Sequence, residues 1–384
     1  MTPRSPGRGP DALAALVLDR YLGVRRRETV TVEAWSHALE WARPFVLEAR
    51  RRGAESFLVV EDEATFFRSL ALAAPSLPVA PSPLAGHPGA YVYFGGPEAF
   101  PRLLGLPVHD VEALVARHGP AWWRRARRSG LRGVRMAIAS VTAPAAARYG
   151  VDLAAWHREV LRGSLVDPAR LARRARSLAG RLARARRVTV RHANGTRLDL
   201  AIERASLTVA DGRVRAAAPT LRGSWTQVPT GFVAVRLADG VAEGTWESNR
   251  PTYDRFADVP VAVGARFSFA GGRLVEFSFD RGGDAFQSAY RRGGHGRNRP
   301  TALTIGLNPA IDRAPELGEL SDRTVGLWLG DNRSLGGRNR SRFSYLTTLG
   351  GAHVELDGRP WWSDGRVVRA PARRRGARSA DRRT

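Results

Sequence analysis

Polar residues that can bind a ligand are concentrated in residues 324–346, which read TVGLWLGDNRSLGGRNRSRFSYL. The apolar residues at the start predict a buried strand, and the glycines that follow allow the backbone to turn sharply. A loop of this kind presents polar side chains from a rigid element, as many binding sites do. The candidates are Asp331 as a catalytic acid or base, and Asn332, Arg333 and Asn339 as ligand-binding groups.

The arginine in this loop predicts a particular class of ligand. A guanidinium group binds a carboxylate or a phosphate through two parallel hydrogen bonds, so Arg333 indicates an acidic small molecule. The alternative is a solvated arginine on a surface loop. A second catalytic candidate is Glu243, because two carboxylates in one cleft can act as an acid–base pair. Ion pairs with the many arginines are the favoured alternative for this acid.

One further set of residues has the chemistry of a metal site. His353, Glu355 and Asp357 alternate along a predicted strand, which places them on one face, and all three are suitable ligands for zinc or iron. Polar residues that alternate with Val and Leu before an Asp-Gly turn are also typical of a solvent-facing hairpin, and this is the favoured interpretation. The chain has no cysteine and no GxSxG motif, which excludes thiolate ligands and argues against a hydrolase nucleophile elbow.

The elements that must position these residues fall into two regions. Residues 11–187 alternate between apolar strands and amphipathic helices, which predicts an α/β domain with a mostly parallel sheet. Residues 188–365 switch to short strands with frequent glycine turns, such as the Asn194-Gly195 hairpin, and predict a β-rich α+β domain. Residues 1–10 and the arginine-rich tail 366–384 have compositions typical of disorder.

Several segments of the second region resemble the motifs of one enzyme family, the thermophilic metallo-aminopeptidases of the aminopeptidase T and aminopeptidase S type. The strand and glycine-rich loop at 324–346 resemble the family's closing motif, and Asn308 lies in a retained Asn-Pro frame that makes it a ligand-binding candidate. The resemblance implies the two-domain fold, release of N-terminal amino acids from peptides, and a homodimer. The other matching segments are 195–200, 228–235, 240–245 and 302–309.

The resemblance also assigns residues of this chain to the family's two-metal centre. In that centre, carboxylates and imidazoles hold two divalent ions that activate a water molecule. The family's catalytic tyrosine falls near Arg333. Apolar side chains cannot replace these ligands, so the resemblance implies a member that has lost its metals. The metal-binding Glu, Glu, His, His and Asp of the family fall at Phe232, Ala302, Gly326, Ser344 and Leu346.

The function that follows is a non-peptidase homologue that binds a small molecule or a peptide end, with no cofactor expected. The first alternative is an active metallo-aminopeptidase, or a metal-dependent oxygenase similar to the dihydroxypyridine dioxygenases, with relocated ligands. Zinc, cobalt, manganese or iron would then be bound, and the face formed by His353, Glu355 and Asp357 is the candidate site. A stretch of 18 or more apolar residues does not occur, so we expect a cytoplasmic protein without membrane contact.

The charge of the chain supports a further alternative, an arginine-rich nucleic-acid-binding protein. The formal net charge is +25 with a pI of about 11.6, which favours contact with phosphate. However, the sequence contains no lysine, so all 61 basic residues are arginine. This bias is typical of a GC-rich genome, and we therefore expect any nucleic-acid binding to be non-specific.

Overall fold

The computed structural model describes residues 9–72, 88–98, 124–214, 224–254 and 259–368. Most of the two segments that the sequence predicts to be disordered, 1–10 and 366–384, therefore lies outside the described residues. The helices are α1 (Pro10–Leu16), α2 (Leu39–Arg51), α3 (Glu63–Leu72), α4 (Ala143–Tyr149), α5 (Leu153–Ser164), α6 (Pro168–Leu182) and α7 (Gly283–Arg292).

The strands divide between an early group and a late group. The early strands are β1 (Thr29–Trp35), β2 (Glu55–Glu61), β3 (Ala90–Phe94), β4 (Arg132–Met136), β5 (Arg187–Arg191), β6 (Arg197–Ile202), β7 (Thr208–Ala210), β8 (Trp225–Val228) and β9 (Phe232–Glu247). The late strands are β10 (Thr252–Tyr253), β11 (Val261–Ala262), β12 (Arg266–Ala270), β13 (Arg273–Ser278), β14 (Pro300–Gly306), β15 (Thr324–Gly330), β16 (Ser344–Gly350), β17 (His353–Leu356), β18 (Arg359–Ser363) and β19 (Arg366–Val367).

The first sheet is wholly parallel, with the strand order β2-β1-β3-β4-β8. One face of it carries Val30, Val32 and Val92, which are fully buried against α1, α2 and α5. The fifth strand, β8, comes from within the 188–365 segment, so the chain returns to the first sheet after it has begun the second.

The second sheet is antiparallel and is organised around the long strand β9. The first half of β9 pairs with β14 and β7, and its second half pairs with β6 and β12. From β14 the sheet continues through β15 to β16, and from β6 it continues through β5 to β17, β18 and β19. The mixed architecture, a parallel sheet followed by a β-rich region, confirms the predicted fold class.

Helix α6 packs against β9 through the stripe that its sequence predicts. Leu171, Ala175, Leu178 and Leu182 recur at helical spacing and are buried in the second core. The helix begins after Asp167, whose carboxylate accepts a hydrogen bond from the Ala169 amide at 2.7 Å. The apolar stripe is therefore buried in the core, and the arginine-rich face of this helix is exposed to solvent.

The loop between β14 and β15 joins the two halves of the molecule. Ile311, Ala314, Leu317 and Leu320 of this loop are buried in the first core, among residues of α5 and the parallel sheet. Glu159 on α5 accepts hydrogen bonds from the backbone amides of residues 312–314. A segment that belongs to the second sheet by sequence thus packs into the first unit.

One strand differs from its expected environment. The near-continuous apolar run Ser56–Val60 predicts a strand buried on both faces. The structure places it in β2, at the edge of the parallel sheet, where Phe57 is 55% exposed and Val60 is 48% exposed. The apolar composition correctly predicts a strand, but it does not determine the position of that strand in the sheet.

Candidate functional site

The five positions that the resemblance assigns to metal ligands lie on one face of a four-stranded segment, β9-β14-β15-β16. Phe232 pairs with Gly306, Ala302 with Trp328, Gly326 with Thr304 and Thr348, Leu346 with Trp328, and Ser344 with Gly330. Because side chains on a strand alternate between faces, these registers place all five on the side opposite the second core. We call this surface the mapped face, defined by Phe232, Ala302, Gly326, Ser344 and Leu346.

The mapped face has no room for a side chain at its centre. A Cβ atom added to Gly326 would lie 2.3 Å from Thr304 Oγ1 and 3.0 Å from Leu346 Cδ1. The first distance is shorter than real Cβ atoms show, and the second is tighter than most Cβ contacts, so the Thr304 side chain would have to shift. The space that a histidine would need here is therefore occupied by the side chains of Thr304 and Leu346.

Apolar side chains cover the neighbouring part of this face. Leu335, from the short helical turn Arg333–Leu335, is buried against Ala234 and Ala302, and Phe232 and Trp328 pack around them. Divalent ions require oxygen or imidazole ligands. The five defining residues offer only the hydroxyl of Ser344, which is exposed, so they do not fit a two-metal centre.

Comparison with solved structures identifies the architecture. Wild-type AmpT from Thermus thermophilus superimposes with a TM-score of 0.68 at 17% sequence identity, over 94% of this chain and 98% of AmpT. The fold is aminopeptidase-like. The 2,5-dihydroxypyridine dioxygenase from Pseudomonas putida KT2440 is also similar, with a TM-score of 0.59 at 16% identity over 96% of this chain and 99% of that enzyme.

Sequence comparison finds no relative. No protein-family profile and no curated protein sequence matches the chain. At identities of 16 and 17%, the two structural similarities show the fold alone. In the part of the chain that the structure describes, no helix is both long and apolar enough to cross a membrane.

Within this aminopeptidase-like fold, the loop after β15 is held by its own side chains. The Arg333 backbone amide donates to Asp331 Oδ1 at 2.9 Å, and Arg333 Nε donates to Asp331 Oδ2 at 2.6 Å. Asp331 is therefore engaged in an ion pair rather than presented as a catalytic acid. The Arg333 side chain remains 62% exposed, so its terminal nitrogens are accessible from solvent.

The two asparagines of this loop fix its shape. Asn332 is 6% exposed, and its Oδ1 accepts from the Asn339 amide at 3.0 Å. Asn339 Nδ2 donates to the carbonyl oxygens of Gly330 at 2.7 Å and Gly296 at 2.9 Å. The structure therefore uses both side chains to join backbone segments of this loop and its surroundings.

Asn308 is likewise engaged in internal hydrogen bonds. Its side chain is fully buried, and Nδ2 donates to the carbonyl oxygens of Gly163 and Thr230, both at 3.0 Å. Its Oδ1 accepts from the Ala310 amide at 3.0 Å. This side chain joins the end of α5 to the segments that precede β9 and follow β14, in the manner of a structural clamp.

The other candidates lie elsewhere on the second sheet, on β9 and around β17. Glu243 is exposed on β9 and accepts from the Gly271 amide at 2.7 Å. Glu355 pairs with Arg191 at 3.1 Å, His353 Nδ1 lies 2.8 Å from Ser363 Oγ, and Asp357 accepts from the amides of residues 186 and 187. Among the described residues, no group of three or more potential protein ligands is arranged to hold a metal ion.

A basic surface depression of about 370 Å³ adjoins Arg333. We call it the basic depression. It lies between the segment that follows α7 and the loop that follows β15. Asn339 and Ser341 join these two segments by donating hydrogen bonds to the carbonyl oxygens of Gly296 and Gly293. Within the described residues, Arg292, Arg340 and Arg342 form no ion pair, so their charges are not neutralised locally. Its lining residues are Arg292, Gly293, Gly294, His295, Arg333, Arg340, Ser341 and Arg342.

Three of these arginines and His295 were not among the candidates from the sequence. The run GRNRSR at residues 337–342 carries the signal, since three arginines alternate there with small polar residues. The signal is hard to read because arginine is abundant throughout the chain. The contact between this run and residues 292–295 depends on the tertiary fold, which local sequence patterns do not reveal.

Proposed function

We propose that this protein binds anions and does not hydrolyse peptides. Its fold is aminopeptidase-like, but its function does not depend on a metal. The observation that carries the proposal is the filled centre of the mapped face. A two-metal hydrolase needs carboxylates and imidazoles around a bridging water, and here the position of a central ligand is a glycine enclosed by Thr304 and Leu346.

The basic depression supports the proposed binding of anions. Four arginines and a histidine surround it, and only Arg333 has a carboxylate partner among the described residues. Guanidinium groups bind carboxylates and phosphates through charge-assisted hydrogen bonds, which are about twice as strong as neutral ones. The ligand class is therefore a small molecule that carries a phosphate or a carboxylate.

The test measures metal content, peptidase activity and anion binding on the full chain purified without chelator or affinity tag. We expect elemental mass spectrometry to detect less than stoichiometric zinc, cobalt, manganese or iron. Leucine p-nitroanilide should remain intact in the presence of added Zn²⁺, Co²⁺ or Mn²⁺. Inorganic phosphate should bind in titration calorimetry at low ionic strength, where screening is weak.

A matched pair of variants localises the phosphate. Arg340→Gln removes one charge from the basic depression and should weaken phosphate binding by about tenfold, the effect of losing one charge-assisted hydrogen bond. Arg273→Gln removes an exposed charge from β13 and should leave binding unchanged. Stoichiometric metal with leucine release, or equal effects of the two variants, would overturn the proposal.

A further inference from the structure

A second cavity, of about 190 Å³, lies at the carboxyl ends of two parallel strands. It is lined by Arg135 of β4 and Gln227 of β8, by residues that directly follow β4, by α5 and by the loop between β14 and β15. Open α/β sheets bind ligands at the carboxyl ends of their strands, because loops from several strands meet there. The position is thus suited to a binding site, and its lining shares no residue with the mapped face or the basic depression.

Two polar atoms in the lining of this cavity lack partners. Trp156 is 4% exposed, and its indole N–H has no hydrogen-bond acceptor among the described residues. The hydroxyl of Ser140 is also buried without a partner there. A buried donor without an acceptor is unfavourable, since it loses its hydrogen bonds to water and gains none in return. A ligand with an acceptor atom would satisfy these groups.

The lining of the cavity also contains an acid, Glu319, with an unusual pKa. Glu319 is partly buried, and burial raises its pKa to about 7. A hydrogen bond from its own backbone amide lowers the pKa, while the charge of nearby Glu316 raises it. A carboxylate with these surroundings is stabilised by a cation placed beside it.

The other charged groups around Glu319 have partners. Glu316 accepts a hydrogen bond from Tyr149 Oη, and Glu159 on α5 accepts from the amides of residues 312–314. Arg135 is the basic residue in the lining. Glu319 lies in the short helical turn Gly318–Leu320, and the two strands that contact this turn, β14 and β15, carry no charged side chain. The lining therefore contains two acids and one base, and the cavity has an excess of negative charge when Glu319 is ionised, above its pKa of about 7.

We infer that this cavity binds a small aliphatic amine that also carries a hydrogen-bond acceptor. The ammonium group pairs with the carboxylate of Glu319, and the acceptor receives the indole N–H of Trp156. Val141, Val160 and Leu317 provide apolar walls for the short chain between the two polar groups. This site is independent of the anion-binding function proposed above.

Titration of the full chain with ethanolamine tests this inference, and ethylene glycol is the uncharged comparison. At pH 8, ethanolamine should bind at least tenfold more tightly than ethylene glycol. Its affinity should fall about tenfold at pH 6, because a carboxyl group with a pKa near 7 is then about one-tenth ionised, while the aliphatic ammonium stays charged. Affinity therefore rises with pH and levels off above the pKa of Glu319.

Three variants separate the site from general effects. Glu319→Gln should abolish the pH dependence and weaken ethanolamine binding tenfold, and Trp156→Phe should weaken it severalfold while keeping an aromatic ring in the cavity. Glu276→Gln, which removes an exposed acid from β13, should leave binding unchanged. Near-UV circular dichroism checks that each variant is folded, and phosphate titration checks that the basic depression is unaffected.

Two outcomes would overturn the inference. One is equal binding of ethanolamine and ethylene glycol by the native chain at pH 8. The other is native affinity and native pH dependence in folded Glu319→Gln. Either result can occur while phosphate binding remains intact, so the failure of the amine site and the failure of the proposed function are distinguishable.

Discussion

Gly326 occupies the centre of the mapped face, and its missing side chain determines what that face can do. Thr304 Oγ1 lies 2.3 Å and Leu346 Cδ1 lies 3.0 Å from the position that the first atom of any side chain would take. Core positions packed this tightly do not accept added volume without displacement of their neighbours. A metal-binding side chain introduced at Gly326 would therefore displace these neighbours, and the substitution would create strain before it created a ligand.

Gly326→Ala should destabilise the protein by about 1–3 kcal/mol, the usual cost of overpacking. The control is Gly180→Ala in α6, where the added Cβ would meet only Arg184 Nη2, at 4.0 Å. That substitution should be neutral or stabilise by about 0.5–1 kcal/mol, because alanine favours the helix. Urea denaturation measures both free energies of unfolding.

Removing Thr304 Oγ1 should relieve the strain at this position. We expect the double variant Thr304→Ala/Gly326→Ala to recover part of the loss caused by Gly326→Ala, which a double-mutant cycle detects as coupling between the two sites. Additive effects of the two substitutions would contradict the close contact.

Residue types alone predicted several polar groups as ligand-binding candidates that the fold uses internally. Asn332, Asn339 and Asn308 hydrogen-bond to backbone groups, and Asp331 pairs with Arg333. The sequence shows that a side chain has donors and acceptors, but its partners come from segments up to 145 residues away, as for Asn308 and Gly163. The assignment of the metal-ligand positions to one face required the strand registers.

The loop between β14 and β15 is the element that couples the two halves of the molecule. Its apolar side chains enter the first core, and Asn308 at its beginning hydrogen-bonds to the end of α5. Individual strands and helices were predictable from apolar periodicity, including the stripe of α6. The packing of this loop was not, because the contacts that place it in the first core, with α5 and the parallel sheet, are distant in sequence.

Asn308→Ala should destabilise the protein by about 3 kcal/mol, because it leaves the carbonyl oxygen of Thr230 and the amide of Ala310 without partners in a buried site. It also removes one hydrogen bond from the carbonyl oxygen of Gly163, which keeps the amide of Val166 as a donor. Thermal and urea unfolding measure the loss. A variant with native stability but weakened binding of phosphate would instead assign Asn308 to a ligand site.

At the scale of the whole molecule, the excess of arginine produces a large positive potential. The 61 basic residues against 36 acidic ones attract phosphate wherever several arginines lie together. A coding bias spreads such charge along the whole chain, whereas a nucleic-acid site concentrates it with groups that read bases or stack on them. The two situations differ in how binding responds to salt and sequence.

Binding of a fluorescent single-stranded oligonucleotide should weaken by about 10³-fold or more between 50 and 200 mM salt, as expected for contacts to phosphate alone. Fluorescence polarisation at several salt concentrations measures the slope, and oligonucleotides of different sequence should give the same slope. Binding that persists at 200 mM with a preference for one sequence would instead support a dedicated nucleic-acid-binding function.

The return of β8 to the parallel sheet has a consequence for synthesis on the ribosome. The first four strands of that sheet emerge by residue 136, but the fifth spans residues 225–228, after β5, β6 and β7 have already been made. Until then the edge of β4 is open, and open edges invite pairing with other chains. The nascent chain therefore contains an incomplete sheet while about 90 more residues are added. We expect the N-terminal half to be the part of the chain that is most prone to aggregation during synthesis.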